Sequence, residues 1–247
     1  MNYRQNPALS GTQLVALSKS PAHYKHLLDN PIEPTPAMEF GTAAHTMLLE
    51  TQHFNSRYAV YAGEGTRASK EYKEFASKQG TKTIIKQDDY QRILDMMTVL
   101  QNHSLARELL MNSKGQNELE LYWTESGVAC KGKLDRYLPA ENVVVDYKTA
   151  HDASPDSFNQ WKAKSMGYYL QSAHYQAGIK ALHSGTAVPA FVFVVQETEA
   201  PYGVQVYELD TISIDKAHEK RAELLQVYKL SVETGKWHSY KEEVIKL

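Results

Sequence analysis

The sequence predicts an α/β fold, a mixed central β-sheet flanked by helices. Three observations carry this expectation. Val143-Val144-Val145 and Phe191-Val192-Phe193-Val194-Val195 are unbroken apolar runs rich in β-branched residues, the pattern of strands buried on both faces. Leu119, Leu121 and Trp123 alternate as strand residues do, and Val204-Gln205-Val206-Tyr207 alternates as a neighbour of the second buried run. Around these strands apolar residues recur at helical spacing, as in Ile93, Met96, Met97 and Leu100.

The elements follow in chain order. The segment up to Pro36 reads as a helix-rich lead-in, broken into pieces by Pro21, Pro31, Pro34 and Pro36. Gly41 to Glu50 is helical in pattern, and Asp88 is expected to cap the helix that carries Ile93. The stretch from Arg57 to Arg92 reads mostly as a solvated helical face with i,i+4 pairs such as Lys70 and Glu74. Gly127 marks a turn before a strand that begins at Val128. Ser154-Pro155 should open a helix, or the first of a pair, that runs to Leu182 with proline in a favourable first position. Ser213 begins a final long helix with Gly235 as its C-cap. At 247 residues the chain has the size for one sizeable core, so a single domain over 1–247 is expected, with 1–36 as its lead-in.

Composition narrows the setting. Nothing resembles a signal peptide, and no apolar run approaches the ~20 residues of a membrane span. The single cysteine, Cys130, has no internal disulfide partner and reads as a small buried residue. One cysteine also excludes a four-cysteine iron–sulfur cluster. A reduced, cytoplasmic protein is expected.

The chemistry concentrates in a hairpin. Pro139-Ala140-Glu141-Asn142 is a loop of turn formers joining Gly132-Lys133-Leu134-Asp135-Arg136-Tyr137-Leu138 to Val143-Val144-Val145-Asp146-Tyr147-Lys148-Thr149. Such a loop pairs Leu138 with Val143 and, counting back, sets Asp135 opposite Asp146. Their Cβ atoms would lie about 4.5–5.5 Å apart on one face, where two ionised carboxylates repel. Lys148 follows Asp146 on that face by the alternation of side chains. An exposed strand with alternating charges is the plainer reading, but the run Val143-Val144-Val145 argues for burial, and buried charge is costly without partners. A divalent cation removes the repulsion and sets the lysine beside a metal-bound water.

Gly-Lys-Leu-Asp followed by Val-Val-Asp-Tyr-Lys-Thr resembles the core of the PD-(D/E)XK nucleases, whose fold is restriction-endonuclease-like. Within them it is most similar to the exonuclease VIII (RecE-type) branch of phage and prophage recombination. Phe40-Gly41-Thr42-Ala43-Ala44-His45 resembles that family's Gly-x-x-x-His helix, and Gln171-Ser172-Ala173-His174-Tyr175 its Gln-x-x-x-Tyr helix. Glu118 with Trp123 resembles the strand before the hairpin, and Ser18-x-Ser20-Pro21 and Pro201-Tyr202 are similar too. The resemblance spans nearly the whole chain in order and makes 37–247 the nuclease core. Leu134 stands where the motif name has proline, and Asp146 fills a slot often held by glutamate; either acid ligates a metal.

The resemblance implies that His45, Asp135, Asp146 and the Tyr147 main-chain carbonyl bind Mg²⁺, for which Mn²⁺ can substitute. Glu118, rather than Glu120, would serve a second metal or its water shell. Lys148 would position and help deprotonate the attacking water, aided by a depressed pKa. Gln171 and Tyr175 share a helix face and would border the active site, holding the DNA backbone or the lysine, while His174 points elsewhere. Taken alone, a helical histidine or tyrosine is more often a core residue; the family pattern selects these. With a net charge of −2, positive charge must be confined to the surface that meets phosphates. Arg67 and Lys70 are candidates because they follow Gly63-Glu64-Gly65, a flexible approach able to fold over DNA.

The implied activity is that of a metal-dependent exodeoxyribonuclease that digests double-stranded DNA ends 5′-to-3′. A ring-shaped homo-oligomer, with a tetramer favoured, a single-strand annealing recombinase as partner and the cytoplasm of a bacterial host are implied with it. A structure-selective endonuclease of the same superfamily and a non-catalytic DNA-binding recombination scaffold are the alternatives. Retention of both aspartates and the lysine argues against the scaffold.

Overall fold

The computed structural model describes residues 3–183, 187–240, 243 and 244. A 3₁₀ turn at Tyr3–Gln5 leads to α1 (Gly11–Lys19), α2 (Pro21–Asp29), α3 (Pro36–Leu49) and α4 (Thr51–Arg57). Next come β1 (Tyr58–Tyr61), α5 (Lys70–Ser77) and β2 (Thr83–Lys86), with β1 and β2 pairing in parallel. After α6 (Gln87–Asn102) and α7 (Ser104–Met111) the main sheet begins with β3 (Gln116–Glu125), β4 (Val128–Leu138) and β5 (Val143–Ala150). Two helices, α8 (Gln160–Ser165) and α9 (Tyr168–Leu182), link β5 to β6 (Ala190–Glu197); β7 (Val204–Glu208) and α10 (Thr211–Thr234) follow.

The five strands stand in the order β3-β4-β5-β6-β7, parallel at β5–β6 and antiparallel elsewhere. This is the mixed α/β sheet expected. Each face carries its own core. Val144, Phe193 and Val195 pack with Leu14, Ile179 and Leu224, from α1, α9 and α10. Val145, Tyr147 and Val194 pack with Ala44, Met96 and Leu100, from α3 and α6. Each fully buried side chain of this kind contributes about 1.5–3 kcal/mol. A one-residue slip would exchange the two sets, so packing pins the register of β5.

The lead-in is built into this core. Ser20 accepts the His23 N–H as N-cap of α2, with Pro21 in its first turn, which gives Ser20-Pro21 a local structural role. Leu9 forms a parallel bridge with Cys130, donating to the Ala129 carbonyl and accepting from the Lys131 N–H, both at 2.9 Å. β5 pairs with β4 only from Arg136↔Val145 to Leu138↔Val143, so Leu9 takes an edge of β4 that β5 has left.

Three expectations are corrected. Asp88 lies inside the first turn of α6, whose N-cap position is Lys86, and there it faces the positive end of the helix dipole. Ser154-Pro155 opens only a turn; α8 starts later, where Asn159 accepts the Lys162 N–H, because Phe158 is drawn into the core. The stretch from 57 to 92 contains β1 and β2, each a strand of 4 residues, too short for a periodic signal. Among the described residues no helix is long and apolar enough to cross a membrane.

Candidate active site

Leu138 pairs with Val143 as the loop requires, and the ladder continues to Arg136↔Val145. There it stops. Asp135 and Asp146, expected face to face, form no ladder pair; Asp135 Oδ2 instead accepts the Tyr147 main-chain N–H at 2.8 Å. The β3–β4 ladder skips the same level, pairing Asn117↔Arg136 and Leu119↔Leu134 around Glu118. Glu118 has φ +52°, a left-handed conformation uncommon outside glycine. The alternation of β4 slips here too, since Leu134 and Tyr137, three positions apart, enter the same core. Glu118, Asp135 and Asp146 thus occupy one row across three strands, where both ladders open.

Helix α3 brings the imidazole. A Cβ on Gly41 would meet Thr149 Oγ1 at 3.0 Å, so the missing side chain lets α3 lie against the end of β5. One turn later, His45 Nδ1 stands 3.6 Å from Asp135 Oδ2, and its ring lies 4.9 Å from that of Tyr147. Burial, reinforced by the Lys148 charge, lowers His45 to about 4. The ring is therefore neutral near pH 7 and keeps a lone pair for a ligand.

His45, Glu118 and Asp135 each offer a ligand atom within 4.8 Å of the other two. Asp146 stands beside this trio and is almost wholly buried. Its Oδ2 lies 2.6 Å from Lys148 Nζ, yet off the hydrogen-bonding direction, so the atom is charge-paired but has no aligned donor. Burial drives both Asp135 and Asp146 up to about 6 despite Lys148. Two oxygen donors and an imidazole, next to a buried carboxylate oxygen without an aligned hydrogen bond, fit a divalent cation such as Mg²⁺ or Mn²⁺.

The expected depression of Lys148 belongs to a cation beside it; the two carboxylates by themselves act the other way. Burial alone would lower it, but the charges of Asp146 and Asp135 outweigh burial and hold the ammonium above its usual range. Its Nζ also lies 5.1 Å from the Tyr168 ring centroid, a cation–π contact at the start of α9.

These residues border a cleft of about 1260 Å³ lined by His45, Glu118, Asp135, Lys148 and residues of α3, α6 and β2. Gln171 and Tyr175 are joined by a hydrogen bond of 3.0 Å, and the charges of Asp146 and Asp135 reach Tyr175. Arg67 lines the cleft, paired with Glu39 at 2.9 Å. Lys70 does not line it; it is 88 % exposed and pairs with Glu74 at 3.7 Å, as the solvated-face reading has it. Glu120 accepts from the Tyr122 hydroxyl at 2.8 Å, apart from the His45 trio. His174, set aside from the sequence, is fully buried and joins a structural network with Arg221. Lys133, which ion-pairs with Glu118, escaped sequence reasoning, although its place two residues before Asp135 on one strand was a usable signal.

The sheet order and the acid row define a PD-(D/E)XK-like architecture. Residues 10–245 match the family model described as a PDDEXK-like domain of unknown function (DUF3799), and the chain belongs to that family. Among solved structures, a "putative exonuclease" from Eubacterium rectale superimposes with TM-score 0.68 at 12% identity, over 100% of this chain and 95% of that one. A phage-related exonuclease from Haemophilus somnus 129PT aligns over 93% of this chain and 96% of that one, at 15% identity and TM-score 0.37, too low to add to the argument. No curated protein sequence matches significantly.

Proposed function

We propose that this protein is a divalent-metal-dependent DNA nuclease. The observation that carries this is the convergence of His45, Glu118 and Asp135 beside the buried Oδ2 of Asp146, which has the Lys148 ammonium against it but no aligned hydrogen bond. His45, Asp135, Asp146 and the Tyr147 carbonyl would hold the cation, with Glu118 completing the set or serving a second ion. The cation, Mg²⁺ or Mn²⁺, supplies charge stabilisation to the phosphate and acidifies a bound water. Lys148 orients the attacking water, and its ammonium supports the negative charge that builds on the phosphate. Neutral His45 keeps the site from carrying a further positive charge. On the α9 side Tyr168 lines the cleft, while Tyr175 lines the neighbouring cavity and is held by Gln171; Arg67 offers a guanidinium to the DNA backbone.

More narrowly, we take the activity to be exonucleolytic, 5′-to-3′ on duplex DNA, leaving 3′ single-stranded overhangs for single-strand annealing in a bacterial cytoplasm. The resemblance to the exonuclease VIII branch supports this reading, together with a ring-shaped oligomer, a tetramer favoured, and an annealing recombinase as partner. A near-neutral chain has little long-range hold on DNA, and a ring would replace attraction by enclosure. The test is digestion of linear duplexes labelled at the 5′ or the 3′ end, with Mg²⁺ or EDTA, beside a covalently closed circle. The proposal expects early release of the 5′ label in Mg²⁺ alone and an intact circle. A cut circle would make the enzyme an endonuclease, and no Mg²⁺-dependent cutting would end the nuclease reading.

A further inference from the structure

Lys131, Lys133 and Asp135 follow one another at alternate positions of β4, so Lys133 points to the side on which Asp135 meets His45. Lys131 is already committed. It donates to the main-chain carbonyls of Tyr3 and Asn6 at 2.9 and 2.6 Å and anchors the N-terminal segment. Lys133 has a different partner, the carboxylate of Glu118 in the row of acids. Its ammonium thus neutralises one of the groups that a divalent cation needs, as Lys148 does at Asp146. Lys133 also lines both the main cleft and a neighbouring cavity of about 350 Å³, walled by Arg4, Thr12, Lys131 and Tyr175. Its side chain remains 32 % exposed and borders both cavities.

We propose that Lys133 is a metal-gated positioning residue: a cation taken up by Glu118 releases the Lys133 ammonium, which then binds a DNA backbone phosphate next to the scissile one. This rests on the nuclease reading above. Without metal, Glu118 occupies Lys133 and the phosphate site is closed; with metal, one carboxylate changes partner and the site opens. Cation and DNA binding are then coupled through a single exchange, and by linkage each favours the other.

The experiment is a double-mutant cycle on DNA affinity, read by fluorescence anisotropy of a labelled duplex in EDTA, where nothing is cut. Glu118→Gln should free Lys133 and tighten metal-free binding about fivefold, the scale of one lost ion pair. Lys133→Met should bind close to wild type in EDTA, and the double variant should fall back to the Lys133→Met level. A gain that persists in the double variant would show only general loss of negative charge, and would overturn the proposal. Calorimetric titration with Mn²⁺ alone gives a second readout. Lys133→Met should take Mn²⁺ more tightly than wild type and Lys133→Arg should not; equal affinities would also overturn it. Both results bear on Lys133 alone, because wild-type Mn²⁺ binding and cleavage remain the measure of the nuclease reading.

Discussion

Two charged clusters are buried against β4, and they are satisfied to different degrees. On the α10 side, Arg221 makes a two-pronged pair with Glu125 at 2.8 and 2.7 Å and donates to His174 Nδ1 at 3.3 Å. His174 Nε2 in turn meets the Lys131 carbonyl at 3.1 Å, so the network fixes its tautomer. Every charged group there has its complement. On the α3 side, Asp135 and Asp146 are pushed up by burial, and Asp146 Oδ2 lacks an aligned donor. The first cluster holds α9 and α10 to the sheet. The second carries an electrostatic deficit that the proposed cation would remove. Burial of charge is common to both; only the unsatisfied cluster calls for a further partner, the role proposed for the cation.

Substitutions should separate the two, and the largest effect is expected at the second. Asp146→Asn should reduce Mg²⁺-dependent cleavage of linear duplex to background while the protein still unfolds cooperatively. Next, Lys148→Ala should lower turnover about 10²–10³-fold, as loss of a charge that stabilises the transition state does, with Mn²⁺ binding retained in calorimetry. If Mn²⁺ binding is lost as well, Lys148 holds the site together instead. At the first cluster, Glu125→Ala strands the Arg221 charge and should cost about 3–5 kcal/mol in urea unfolding. Cleavage per folded molecule should not change. A Glu125→Ala protein that is stable but inactive would erase the distinction between the clusters.

The legible part of this site was the part set by chain-local rules. The loop Pro139–Asn142 and the run Val143–Val145 sufficed for the register Leu138↔Val143, and period two sufficed to place Lys148 beside Asp146. What the hairpin rule missed is that strands separate: past Arg136↔Val145, β4 turns to Leu9 and β5 stays with β6, so the acids flank a fork. The direction of the Lys148 shift is not legible in the sequence, because it depends on two charges against burial, a balance visible only once distances are known. Arg67 and Lys70 looked equivalent in sequence, but only Arg67 faces the cleft, since Lys70 begins the exposed helix α5. His174 was underrated because its partner Arg221 lies 47 positions away.

Acid and base should act on the clusters with opposite sign. Burial, with Arg221 second, lowers His174 to about 3, so the fold favours its neutral form. That stability is complete above the unfolded value near 6.5 and is lost as pH falls toward 3. Asp135 and Asp146 are raised to about 6 from 3.8, so their contribution is complete below 3.8 and is lost as pH rises through 6. Urea midpoints in EDTA should therefore show a loss between pH 4 and 7 that Asp146→Asn reduces, over an acid limb that it leaves in place. An unchanged upper limb in Asp146→Asn would mean that the carboxylates are not under strain. The smallest effects belong to the rim. Arg67→Ala should cost less than about 1 kcal/mol of stability but weaken duplex binding and flatten its salt dependence, and Lys70→Ala should do neither.

The central claim is that the unsatisfied cluster is a metal centre, and calorimetric titration of Mn²⁺ at pH 7.5 addresses it most directly, on wild type, Asp135→Asn and Glu125→Ala. Wild type and Glu125→Ala should bind with the same affinity, while Asp135→Asn should bind at least about 100-fold more weakly, since it loses a direct ligand. Absence of binding to wild type, or full affinity in Asp135→Asn, would contradict the account.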